Sequence, residues 1–180
     1  MAFKSRKGLL IFGVLVAVLL LIWVGLGLGE EQEEEAVSVG AVAPNFILED
    51  LSGERVELKE VYRKHQLTLV NFWATWCPPC KREIPDLVAF YRKYQGEGVE
   101  ILAVNAWEDS SLEQLQTFVA SAEMKFPVLL DGEGETVKKY NIRAIPTTLF
   151  IDQSGRIKEI FMGALTSNQL ETRLQKYLAE

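Results

Sequence analysis

Seven consecutive residues, Leu67-Thr68-Leu69-Val70-Asn71-Phe72-Trp73, run directly into Ala74-Thr75-Trp76-Cys77-Pro78-Pro79-Cys80. The first seven form a short, bounded, β-rich apolar run, the pattern of a strand buried on both faces. Two successive prolines are tolerated in the first turn of a helix, where the missing N–H groups have no intrahelical partner. The segment therefore predicts a central strand that ends where a helix over residues 78–94 begins, with both cysteines of the chain at the junction. Ile84, Leu87, Val88 and Tyr91 recur at helical spacing, Pro85 is expected to kink the helix, and Gly96 and Gly98 to stop it.

The flanking sequence alternates strand and helix signals. Ala43-Pro44-Asn45-Phe46 opens the domain; residues 46–48 and 56–58 read as a hairpin around Leu51-Ser52-Gly53-Glu54. A helical turn or two is expected over 59–64, a strand over 99–104, and an amphipathic helix over 110–122 capped by Ser110 or Ser111. A short strand at 126–130 and a third helix at 133–140 follow. Residues 147–151 and 156–161 flank the turn Asp152-Gln153-Ser154-Gly155 as a second hairpin, and a helix over 166–178, capped by Thr166 or Ser167, closes the chain. This order predicts an α/β fold with a central mixed sheet flanked by helices on both faces.

Residues 8–29 are an unbroken apolar run, GLLIFGVLVAVLLLIWVGLGLG. Its length matches the ~20 residues that an α-helix needs to cross a bilayer, and backbone groups in lipid must be satisfied internally. Lys4, Arg6 and Lys7 precede it; Glu30, Glu31, Glu33, Glu34 and Glu35 follow it. The positive-inside rule keeps the N-terminus in the cytoplasm and exports the rest. The expected organisation is a cytoplasmic tip and transmembrane signal anchor over 1–29, an acidic linker over 30–42 and a globular domain over 43–180. The expected location is the cytoplasmic membrane, single-pass, with the domain on the periplasmic or extracellular face. A cleaved signal peptide is the rival reading, with Gly27 and Gly29 as small residues for a peptidase; the apolar run exceeds the ~7–15 residues of a signal core.

A net charge of −6 leaves no basic footprint, which excludes nucleic acid as a partner. Two cysteines cannot build a disulfide framework, and with His65 distant in sequence they cannot complete a zinc site alone. No metal or cofactor is expected; the chemistry falls to the cysteine pair itself. At a helix N-terminus, unpaired N–H groups and the positive end of the dipole favour an anion, and thiolate is the nucleophilic form of cysteine. The spacing puts Cys80 one turn along, within disulfide reach. Cys77 is expected to be exposed and to attack, and Cys80 to be more buried and to resolve the mixed disulfide. The competing reading is a structural disulfide, which would stabilise little because it closes so short a loop.

These segments resemble the thioredoxin superfamily, and more narrowly its membrane-anchored TlpA/ResA-like branch of cytochrome c maturation type. The matching residues are Leu69 to Cys80, Tyr140-Asn141-Ile142-Arg143-Ala144-Ile145-Pro146-Thr147-Thr148, and Met162-Gly163-Ala164-Leu165-Thr166. The resemblance implies a thioredoxin-like fold with an N-terminal hairpin and a central helix–strand insertion between Asn105 and Tyr140. It implies a cis Ile145–Pro146 bond beside the redox helix. It also implies a client-binding rim of Trp76, Pro78, Pro79, Ile145, Pro146, Met162, Gly163 and Ala164. Soluble thioredoxins carry a buried aspartate where this chain has Asn71, which cannot titrate. The TlpA/ResA-like branch has a glutamate three residues after the second cysteine, and Glu83 stands there. A carboxylate near two thiols can accept or return a proton, although an acid so early in a helix also suits the dipole. Peroxiredoxins, of related architecture, place a lone peroxidatic cysteine in a Pro-x-x-x-Thr-x-x-Cys context that Thr75 does not match.

The motif does not fix the direction of electron flow. Pro78-Pro79 brings neither an N–H nor a histidine cation to a thiolate, which argues against a strong oxidase. The resemblance implies a reductase drawing electrons from a transmembrane thiol carrier. Its clients would be oxidised cysteine pairs of exported proteins, with the haem-attachment cysteines of apocytochrome c as the leading candidate. The rival functions are a disulfide-forming oxidase and a non-catalytic chaperone or binding domain on a membrane stalk.

Overall fold

The computed structural model describes residue 16 and residues 37–179. The expected transmembrane anchor and most of the acidic linker lie outside the described residues. Among the described residues no helix is long and apolar enough to cross a membrane.

β1 (Ile47–Asp50) and β2 (Arg55–Glu57) form the first hairpin, followed by the short helix α1 (Leu58–Tyr62). The apolar run is β3 (Leu67–Trp73), and the helix after it is α2 (Pro78–Tyr94). Next come β4 (Val99–Asn105), α3 (Leu112–Ser121), β5 (Val128–Leu130) and α4 (Glu135–Lys139). The hairpin β6 (Thr147–Asp152) and β7 (Ile157–Met162) leads to α5 (Ser167–Leu178). The seven strands make one sheet in the order β2-β1-β5-β4-β3-β6-β7, parallel at β3–β4 and β4–β5 and antiparallel elsewhere. This is the thioredoxin-like α/β architecture, and the stretch where the helix–strand insertion was expected holds α3 and β5.

Every residue of β3 is buried, as expected for a strand covered on both faces. The period of two sorts its side chains. Leu67, Leu69 and Trp73 face one core with Ile84, Leu87 and Phe90 of α2, Leu115 of α3 and Leu170 and Leu174 of α5. Val70 and Phe72 face the other with Leu58 and Tyr62 of α1 and Val137 of α4. Each fully buried large apolar side chain contributes roughly 1.5–3 kcal/mol. A one-residue register slip would exchange the two sets, so the position of β3 is strongly specified.

The helix α2 begins at Pro78 and runs through Pro85 without a break. Gly96 (φ 85°) and Gly98 (φ 81°) take left-handed conformations after it. α3 and α5 start with capping boxes, Ser111 with Gln114 and Thr166 with Gln169. Gly155, at φ 85° in the β6–β7 turn, has no room for a side chain: a Cβ there would lie 2.6 Å from Cζ of Tyr62.

Candidate active site

Parallel strands end their carboxyl edges where helices begin, and the cysteines sit at such an edge. Cys77 is the N-cap of α2, with Pro78 and Pro79 at its first two positions. The prolines remove two donors, so the first free amide is that of Cys80, which donates to Cys77 Sγ at 3.3 Å. Cys77 and Cys80 are disulfide-bonded, with Cα atoms 5.3 Å apart.

Cys77 was expected to be exposed. It is not: its relative exposure is 2%, against 1% for Cys80. The cause is the β6-side loop. The Ile145–Pro146 bond is cis, and the Ile145 carbonyl oxygen lies 3.7 Å from Cys77 Sγ, so the backbone before Pro146 covers the sulfur. Thr147 Oγ1 donates to the Ala144 carbonyl at 2.7 Å, and the Gly163 amide donates to the Pro146 carbonyl at 2.8 Å. The second bond brings Met162-Gly163-Ala164 beside the loop. Around this centre Trp76, Pro78 and Met162 are exposed, Pro79, Ile145, Gly163 and Ala164 half-buried, and Pro146 buried.

Glu83 lies one turn beyond Cys80 on the same helix face. It belongs to the second turn of α2 and is 1% exposed, so it is no solvated acid placed for the dipole. Its Oε1 accepts from Asn71 Nδ2 at 3.2 Å, while Oε2 has no hydrogen-bond partner. Burial pushes the Glu83 carboxyl up to about 8, overriding the Leu165 amide and the Thr148 hydroxyl, which pull the other way; Asp86 adds a small upward push. Asn71 and Thr148 face each other across the β3–β6 ladder, and Asn71 Nδ2 also donates to Thr148 Oγ1 at 2.9 Å.

Two residues beyond the expected set join the site. Glu108, in the loop after β4, accepts at Oε2 from the Thr75 amide and from Asn105 Nδ2, both at 2.9 Å. Its Oε1 accepts from the Thr75 hydroxyl at 2.7 Å and from the Ser110 amide at 3.1 Å. Partial burial raises this carboxyl, but the hydrogen bonds from Asn105, Thr75 and Ser110 outweigh it and hold Glu108 at about 2. Trp107, a non-glycine residue at φ 52°, presents its carbonyl to Trp76 Nε1 at 2.6 Å. Together they fix the segment that leads into Cys77. Their position at the carboxyl end of a parallel strand was the available signal.

Among the described residues no cluster of His, Cys, Asp and Glu is arranged to hold a metal. The redox group of this thioredoxin-like family is the cysteine disulfide, and here it is the Cys77–Cys80 pair.

Residues 39–160 match the AhpC/TSA family. The thiol-disulfide oxidoreductase ResA of Bacillus thuringiensis subsp. konkukian is 39% identical over 140 residues, covering 78% of this chain and 79% of the relative. ResA of Bacillus subtilis is 33% identical over 167 residues, covering 93% and 91%. The crystal structure of StoA from Bacillus subtilis superposes with a TM-score of 0.62 at 32% identity, covering 73% of this chain and 96% of that one. A buried dithiol centre on a strand-to-helix junction and relatives named for the same chemistry converge: the chain belongs to the thioredoxin-like AhpC/TSA family and is a thiol-disulfide oxidoreductase of the ResA-like kind.

Proposed function

We propose that the chain is a membrane-tethered reductase of disulfides in exported proteins, with the haem-attachment cysteines of apocytochrome c as its client. The observation that carries this reading is a Cys77–Cys80 centre with the buried carboxyl of Glu83 one turn away. The apolar run at 8–29 and its flanking charges support the tether and a domain on the periplasmic or extracellular face. The relatives named thiol-disulfide oxidoreductase ResA support the dithiol chemistry, and Pro78-Pro79, which brings neither an N–H nor a cation to a thiolate, supports the reductase direction.

In the reduced enzyme the Cys77 thiolate attacks one sulfur of the client disulfide. A mixed disulfide forms and the first client thiolate leaves. The Cys80 thiol then passes its proton to the Glu83 carboxylate. Cys80 thiolate attacks Cys77 Sγ, the second client thiolate leaves, and the Cys77–Cys80 disulfide closes with Glu83 neutral. Burial, which favours the neutral acid beside the closed disulfide, supports that end state. A transmembrane thiol carrier would return two electrons, and Glu83 would return the proton. Trp76, Pro78, Pro79, Ile145, Pro146 and Gly163 line the face a client must meet.

The test is a reduction potential from equilibration with glutathione or dithiothreitol buffers, paired with reduction of an apocytochrome c peptide bearing its cysteine pair. A low potential with turnover supports the reading. A potential near the oxidising end, about −120 mV, would overturn it in favour of a disulfide-forming oxidase.

A further inference from the structure

We infer that Asn71 is a positioning residue that keeps Glu83 hydrogen-bonded in both of its protonation states, with Thr148 taking up the change. This deepens the proposed function and rests on Glu83 carrying a proton there.

A buried carboxyl that gains and loses a proton poses a pairing problem. The carboxylate only accepts hydrogen bonds; the acid must also donate one. A fixed donor such as a backbone amide serves the first state and leaves the acid's O–H facing another hydrogen. Leaving either form unpaired in the interior costs free energy. The side chain of Asn71 escapes this, because its amide carries a donor end and an acceptor end of the same size.

In the structure the donor end is turned toward Glu83. The two N–H bonds of Nδ2 are divided between Glu83 Oε1 at 3.2 Å and Thr148 Oγ1 at 2.9 Å. That arrangement suits the carboxylate. When Glu83 is neutral, a half-turn of the amide puts Oδ1 in the same place, where it accepts the Glu83 O–H. Such a turn would strand most neighbours, since a donor becomes an acceptor at both contacts. Thr148 tolerates it: a hydroxyl accepts from Nδ2 in one state and donates to Oδ1 in the other by rotating its hydrogen. Beyond the exchange of Oδ1 and Nδ2, which are of the same size, no heavy atom need move, which matters where Asn71, Glu83 and Thr148 are 2%, 1% and 0% exposed.

The register makes the pairing. Asn71 and Thr148 are directly opposed on β3 and β6, on the face that α2 covers. Among the described residues, the charged group acting on Glu83 is Asp86 on its own helix; β3, β6 and the segment at Leu165 act on it through neutral groups. An aspartate at position 71 would accept from the neutral acid but repel the carboxylate.

The test uses infrared spectra of the full-length oxidised protein in detergent across a pH series. The carboxylic C=O band of Glu83 is assigned by its loss in Glu83→Gln. In Asn71→Leu this band is expected to move to the higher frequency of an unbonded acid. Its titration midpoint should rise by about one pH unit, a tenfold gain in proton affinity, because the lost bond is stronger to the carboxylate than to the acid. Thr148→Val, which keeps the side-chain shape should leucine disturb the sheet, is expected to move the midpoint the same way by less, and Thr148→Ser to restore it. An unchanged band and midpoint in both Asn71→Leu and Thr148→Val overturn the inference. The underlying reading fails separately: if Glu83→Gln leaves the pH profile of client reduction as in the parent, Glu83 carries no proton, whatever Asn71 does.

Discussion

A carboxyl group held neutral beside two sulfurs gives the domain a pH dependence of defined sign. Glu83 ordinarily titrates at 4.5 and is pushed to about 8 by burial. The folded state therefore holds the proton more tightly than the unfolded chain. Its stabilising contribution is complete below about pH 4.5 and declines as pH rises through 8. Glu83→Gln should remove that decline: denaturant midpoints of the oxidised protein at pH 5 and pH 8 should draw together, while those of the parent separate. Glu108 has the opposite sign. Held at about 2, it contributes stability that is present above its ordinary value of 4.5 and lost as pH falls toward 2. Glu108→Ala frees the amide and hydroxyl of Thr75, two residues before Cys77. The expected outcome is a several-fold slower reduction of client peptide with the fold retained, read by stopped-flow kinetics and circular dichroism.

Elements were legible where local chemistry punctuates them. The prolines at 78 and 79 and the glycines at 96 and 98 delimit α2, and Ser111 and Thr166 mark the starts of α3 and α5. The shorter elements were less legible. β5 starts at Val128 rather than 126 because Pro127 has no N–H to give to the ladder. α4 starts at Glu135 rather than 133 because Gly134 adopts φ 67° and the Asp131 carboxylate caps the Thr136 and Val137 amides from outside the helix. Glu83 was legible as a candidate from its spacing to Cys80, but its burial depends on β3 and β6 packing over α2. Glu108 carried only the general signal of a loop at a strand's carboxyl end, because its partner Thr75 lies 33 residues away and only the parallel β3–β4 pairing brings them together. The burial of Cys77 escaped for the same reason, since its cover comes from the far loop before β6. At this scale the turn glycine is the sharpest test. Gly155→Ala forces a side chain into a left-handed residue and against the Tyr62 ring. It should cost about 1–3 kcal/mol, measured by urea unfolding.

At the scale of the molecule, both apolar cores are assembled, among the described residues, from Val37 onward. The described domain falls within one compact unit, Glu35–Glu180. A protein shortened to begin at Glu35 should fold, show the same melting transition, and reduce insulin at the parent rate; loss of either would assign residues 1–34 a part in the domain itself. Under the proposed tether, shortening should also move the protein from the membrane to the soluble fraction. The covered sulfur of Cys77 has a consequence of another kind. Exchange with a disulfide depends on access to the sulfur that is attacked. With the oxidised centre 2% and 1% exposed, a small thiol such as glutathione meets the Ile145 backbone before it meets sulfur. The proposed client or electron donor must displace the Ile145 carbonyl to reach it. The cover thus acts on rates and not on the equilibrium: exchange with the ambient thiols of the solution is slowed, and a macromolecule that docks on the rim is the faster partner.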